Sequence, residues 1–292
     1  MRIGHPLTAI GAVVAAILIA ILIAGCSSTH APDLKTGASA EVDRPAVALD
    51  PGVDHVHAAV FHGGHLLLGT HSGLVEVDPA TGLTKARGTA QDDFMALAAA
   101  GSSLIASGHP GPGSGLPDPL GLQRSEDGGL TWQGVSLSGQ VDFHGLATDG
   151  SSIAGIGTED GVLISDDGGS NWQASGVNAA ISLAWFQGEL WIASEDGLRI
   201  WSNGSIREAP ASTQSLMVLA TAGDGTALWA VARNGSVWRS LDGSTWQERG
   251  AVTALEALAA TTETAYAVTA RSITVIPGED GLSPMSQPAP IP

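Results

Sequence analysis

The chain has 292 residues, one cysteine and a formal charge of −17. An intramolecular disulfide is excluded, and this much negative charge argues against nucleic acid and anionic lipid head groups as partners.

Residues 1–25 are not read as fold. Arg2 supplies a short basic segment, Leu7 to Ala24 is almost wholly apolar, and Ile23-Ala24-Gly25-Cys26 matches a bacterial lipobox. The expectation is a lipoprotein signal peptide, with lipid on Cys26 tethering an extracytoplasmic domain to a bacterial membrane. Residues 26–50 are rich in Ser, Ala, Thr, Asp and Pro and read as a flexible tether. Residues 278–292 read as a disordered tail.

Between them, residues 51–277 repeat one pattern: an apolar strand, a glycine turn, a second strand, another turn and a third strand. First strands are expected at His55–Phe61, Phe94–Ala100, Phe143–Thr148, Ile181–Phe186, Leu216–Thr221 and Leu255–Ala260. Repeats of about 35–50 residues are the period of propeller blades. The expected fold is therefore an all-β propeller of six blades, with seven as the alternative. An open edge is a pairing liability, and Ala46–Asp50 could supply a closing strand.

Three blades carry one phrase. It reads Ser125-Glu126-Asp127-Gly128-Gly129-Leu130-Thr131-Trp132, then Ser165-Asp166-Asp167-Gly168-Gly169-Ser170-Asn171-Trp172, then, one residue shorter, Ser240-Leu241-Asp242-Gly243-Ser244-Thr245-Trp246. Ser and Asp oxygens accept from nearby backbone N–H groups, Gly takes a positive φ, and Trp buries a large area. The phrase is thus read as a structural hairpin.

The first strands also share an odd position, occupied by His57, Met95, His144, Ser182, Met217 and Glu256 between apolar neighbours. Two residues earlier stand His55, Asp93 and Asp142. The second strands run back to the same face and end near His71 and His109. His57, His71, Met95, His109 and His144 are candidate metal ligands at one mouth of the channel. His55, Asp93, Asp142, Met217 and Glu256 are candidates for the second shell or for contact with a ligand. Imidazole with thioether suits copper, and imidazole alone suits zinc or nickel. An organic or peptide ligand pocket, a protein partner and a purely structural hydrogen-bonded plug remain open. His62 and His65 flank a turn at the opposite end. The insertion His109–Pro119, rich in Pro and Gly, is read as a rim or lid, or as a surface excursion.

The three phrases resemble the Asp-box, or BNR, repeat. With Val56-His57, Thr70-His71-Ser72-Gly73-Leu74, Gly108-His109-Pro110-Gly111 and Phe143-His144-Gly145-Leu146, the chain resembles bacterial lipoproteins described as glycosyl hydrolase-like Asp-box proteins. Sialidases, sortilin-type receptors and photosystem II assembly propellers are similar through the boxes alone. The resemblance implies a propeller and a glycosidase. A sialidase would need an arginine triad and a tyrosine nucleophile, but the arginines are scattered and Tyr266, the one tyrosine, falls in a second strand. A two-carboxylate glycosidase would draw on Asp93, Asp142 or Glu256.

Overall fold

A computed structural model describes residues 45–279, apart from 211, 212 and 214. The lipobox with Cys26, most of the tether and the tail beyond residue 279 lie outside the described residues. A two-residue strand, β1 (Val47–Ala48), comes first. Five four-stranded antiparallel sheets follow in chain order. They are β2 (Val56–His62), β3 (His65–Thr70), β4 (Gly73–Val77) and β5 (Thr84–Arg87); then β6 (Asp93–Ala100), β7 (Ser103–His109), β8 (Leu122–Ser125) and β9 (Gln133–Ser136); then β10 (Phe143–Thr148), β11 (Ile153–Gly157), β12 (Gly161–Ser165) and β13 (Gln173–Ala174). The fourth and fifth are β14 (Ser182–Phe186), β15 (Glu189–Ser194), β16 (Gly197–Ser202) and β17 (Ser205–Glu208), and β18 (Leu216–Thr221), β19 (Leu228–Ala232), β20 (Ser236–Ser240) and β21 (Gln247–Ala251).

The sixth sheet closes the ring. It holds β22 (Ala257–Ala260), β23 (Thr264–Val268) and β24 (Ser272–Pro277), and β1 pairs with β24 through Val47 to Ile273 and Ala48 to Ser272. The inner strands contact one another in a closed cycle, β2, β6, β10, β14, β18, β22 and back to β2. The fold is a six-bladed propeller, as expected. The ordered chain begins before residue 51, however. Leu49 is buried in the cluster that joins the sixth blade to the first. A short apolar run within a polar segment is drawn in because β24 otherwise leaves its edge unpaired.

Six apolar clusters hold the ring, each drawn from two neighbouring blades. Leu66, Leu67 and Leu68 show why the strands read as apolar runs rather than alternations. Leu66 and Leu68 pack toward the sixth blade and Leu67 toward the second. Successive side chains point to opposite faces, and here both faces are covered. Full burial of each such leucine is worth about 1.5–3 kcal/mol. Small residues line the axis, among them Ala58, Ala98, Ala147, Ala220 and Ala259, where the inner strands converge.

The phrases turn where expected. Asp127 Oδ1 accepts from the backbone N–H groups of Leu130 and Thr131 at 3.0 and 2.9 Å, and Ser125 Oγ accepts from Gly129 N at 2.8 Å. Asp167 and Asp242 hold their turns in the same way. Hydrogen bonds from Thr131 hold the Asp127 carboxyl at about 2, those from Asn171 hold Asp167 at about 2, and backbone N–H groups of Thr245 and Ser244 hold Asp242 at about 2. Gly129 adopts φ +92°, and a Cβ there would lie 2.2 Å from Leu74 Cδ2 in the preceding blade. Gly169 meets Leu122 at the same 2.2 Å. The turn is therefore the point at which one blade seats on its neighbour. Trp132 and Trp172 pack within their own blades against Phe94 and Phe143, with ring centroids 4.9 and 5.0 Å apart.

Candidate functional site at the channel mouth

The odd position of the inner strands has a structural cause. Val56 pairs with Thr70 and Ala58 with Gly69, so His57 has no partner in the ladder. Met95, His144 and Met217 are skipped identically in their blades. Each is the extra residue of a β-bulge, a device that re-aims one side chain without moving the strand. His57, Met95 and His144 line the central channel, a cavity of about 2220 Å³. Met217 does not. It is buried, with its sulfur 3.6 Å from Arg233 Nη2. Its assignment to the mouth is corrected: the bulge there turns the thioether into packing beside a guanidinium.

The histidines do not converge on one point. Among the described residues they divide, with carboxylates, into two groups of three whose donor atoms all lie within 4.8 Å of one another. The first is His57, His71 and Asp93. His57 Nε2 stands 3.1 Å from His71 Nδ1 and 3.2 Å from Asp93 Oδ1, and His71 Nδ1 stands 2.9 Å from Asp93 Oδ2. His71 rides on the turn after β3, where Thr70 Oγ1 donates to Gly73 O at 2.9 Å and Asp54 accepts from Ser72 Oγ at 2.7 Å. Burial works to raise the Asp93 pKa, but hydrogen bonds from His57 and His71 outweigh it and the net shift is downward.

The second group is His109, Asp142 and His144. His144 Nε2 lies 2.8 Å and His109 Nε2 3.6 Å from Asp142 Oδ2. The other ring nitrogen of His109, Nδ1, lies 2.7 Å from Asp118 Oδ1. Burial pulls the His109 pKa down, yet Asp118 and Asp142 carry it above the ordinary histidine value. Asp93 and Asp142, expected in the second shell or as ligands, each stand within a donor group. The reason is topological: Asp93 opens β6 and Asp142 directly precedes β10, and each faces a histidine of the blade before.

His55 and Glu256 form a pair beside the first group. His55 Nδ1 is 3.1 Å from Glu256 Oε2, and Glu256 also accepts from Val56 N and Ala270 N. The His55 ring meets that of His57 edge-on at 4.6 Å. At the opposite end, His65 pairs with Glu76 at 2.8 Å. Tyr266 stacks on Phe61 in the core between the sixth and first blades and is not among the residues lining the channel.

No family model matches the chain, and neither does any curated protein. Solved structures do. A structure of a nidogen/laminin complex superposes with a TM-score of 0.55 at 12% identity, covering 70% of this chain and 85% of that one. PorZ, a surface component of the type-IX secretion system of Porphyromonas gingivalis, gives 0.50 at 12%, over 80% of this chain and 38% of its own. The extracellular domain of BT4673 from B. thetaiotaomicron gives 0.50 at 16%, over 75% and 32%. What they share with this chain is the fold.

The donor atoms of each group lie within 4.8 Å of one another, close enough to be compared with a cation site. Bonds of about 2.0–2.2 Å to His and carboxylate ligands put neighbouring donors of a tetrahedral or octahedral site about 2.8–3.6 Å apart by geometry. In the first group the two imidazole nitrogens stand 3.1 Å apart, and each meets a different oxygen of Asp93, His57 Nε2 Oδ1 at 3.2 Å and His71 Nδ1 Oδ2 at 2.9 Å.

Proposed function

We propose that the chain is an extracytoplasmic, lipid-anchored binding propeller whose channel mouth holds a divalent first-row transition ion on His57, His71 and Asp93. The supporting observation is the close triangle of two imidazole nitrogens and one carboxylate. Facing nitrogens 3.1 Å apart share at most one proton in a hydrogen bond, whereas a cation between them satisfies both lone pairs. Nitrogen and oxygen donors together favour copper(II), with zinc below it in affinity. Met95 lines the same channel and keeps copper(I) within the reading.

The test is metal analysis and calorimetric titration with Cu²⁺ and Zn²⁺ of the purified chain beside His57→Ala/His71→Ala. Loss of one equivalent in the variant supports the site. Equal metal content in both proteins overturns it. The anchor is tested separately: Cys26→Ser should release the protein from membranes or leave it uncleaved, and unchanged partition and mass would dismiss the lipobox reading.

A glycosidase is the second reading. Asp93, Asp142 and Glu256 all line the central channel. Turnover of chromogenic glycosides, lost in Glu256→Gln, would favour it.

A further inference from the structure

We propose that His109, Asp142 and His144 form a second metal site beside the first, and that the Pro/Gly loop from His109 to Pro119 belongs to it through Asp118. The proposal rests on reading the first group as a metal site and goes beyond it in the number of ions and in the role of the loop.

Four observations carry it. First, the donors fall into two compact triads rather than one ring of five histidines. Asp93 of the first triad and His109 of the second are cross-strand partners on β6 and β7. The sites are therefore side by side, one joining the first and second blades, the other the second and third.

Second, a hydrogen-bonded plug would be expected to satisfy every buried acceptor. Here both histidines face Asp142 Oδ2, while Asp142 Oδ1 is buried without a hydrogen bond. A carboxylate with an idle buried oxygen, facing two imidazoles, is arranged for a cation.

Third, Asp118 Oδ1, at 2.7 Å, is placed to accept a proton from His109 Nδ1. In that tautomer Nε2, 3.6 Å from Asp142 Oδ2, is the nitrogen available to a cation. Metal-bound histidines are commonly held by an outer carboxylate in this way. The loop that brings Asp118 is pinned at its base. Gly111 N donates to Asp92 Oδ1 at 2.7 Å, Leu120 N to Gly108 O at 2.8 Å, and Gly139 N to Pro119 O at 2.7 Å. A Cβ at Gly111 would lie 2.4 Å from Gln91 O, so the chain passes too close there for a side chain. Asp118 is thus a positioning residue on a rigid rim.

Fourth, the local charge suits two dications. Asp54, Asp93, Asp118, Asp142 and Glu256 stand around the mouth. Their five negative charges, if all are ionised, exceed the four positive charges of two such ions.

The experiment uses the full chain purified in detergent, with Zn²⁺ as the probe for stoichiometry and Co²⁺ as the optical probe. Two zinc ions per wild-type chain are expected. One should remain in His144→Ala, and a different one in His57→Ala, each variant checked for an unchanged circular dichroism spectrum. Asp118→Asn should keep both sites and weaken the second by about 10–100-fold. Its Co²⁺ absorption should change, and the ¹⁵N shifts of His109 should lose the Nδ1–H tautomer. One zinc in wild type and the same one in His144→Ala would overturn the second site and leave the first standing. No zinc in wild type would overturn both. Wild-type affinity and wild-type His109 shifts in Asp118→Asn would remove the loop from the site.

Discussion

Gly129→Ala tests how the blades seat on one another. The residue holds φ +92°, and the added methyl would lie 2.2 Å from Leu74 Cδ2 and 3.5 Å from Leu104 Cδ1. Holding an L-residue in left-handed backbone costs about 1–2 kcal/mol. Forcing a methyl group into a packed core costs about 1–3 kcal/mol more. The sum is about 2–5 kcal/mol. For a domain of this size each kcal/mol moves the thermal midpoint by about 2–4 °C, so Tm should fall by about 4–20 °C. Gly101→Ala is the matched control. Its φ is +64°, and nothing lies within 4 Å of the added Cβ. It carries the backbone cost alone, about 1–2 kcal/mol. Both variants would be melted beside wild type by calorimetry or circular dichroism. Equal falls would refute the seating of the turn on Leu74, and no fall in either would refute the backbone argument as well.

Three further outcomes are expected. Zinc at a hundredfold excess over its Kd should stabilise the fold by about 2.7 kcal/mol per site, and an unchanged Tm in calorimetry would count against both triads. Acid should loosen the three Asp turns. Their carboxyls titrate at about 2 in the fold and near 3.9 when unfolded, so their contribution is complete above about pH 4 and is lost as pH falls toward 2. Tm should therefore drop more steeply between pH 5 and 2 in wild type than in Asp127→Asn/Asp167→Asn/Asp242→Asn, and parallel curves would refute this. Leu49→Ala should cost about 2–5 kcal/mol by emptying a buried site at the closing seam; a chemical-denaturation midpoint equal to wild type would show that the seam does not bear on stability.

Much of the architecture was legible in the sequence. Phe143–Thr148 and Leu216–Thr221 are strands with the bounds their apolar runs imply. Blade-to-blade packing buries both faces, so each strand stands out as a short apolar run between glycine turns. The mouth was legible only in outline. The odd column through His57, Met95, His144 and Met217 was visible, but its cause is a ladder offset that depends on the partner strand. The division of the histidines into two triads depends on which blade each faces, which spacing along the chain does not encode. Asp118 went unnoticed because its partner, His109, lies across a loop rather than at strand spacing. Asp93 and Asp142 were visible as candidates because each stands two residues before a bulged position, one opening β6 and the other directly preceding β10.

The bulges bear on how such a protein changes over time. A residue that no neighbouring strand counts as its partner can be exchanged without shifting the register of the sheet around it. His57, Met95 and His144 therefore occupy interchangeable sockets on a fixed frame. Refitting a socket alters what the mouth recognises and leaves the inter-blade packing as it was. A ring of this kind can acquire or lose a ligand by single substitutions, with the rest of the molecule under no pressure to follow.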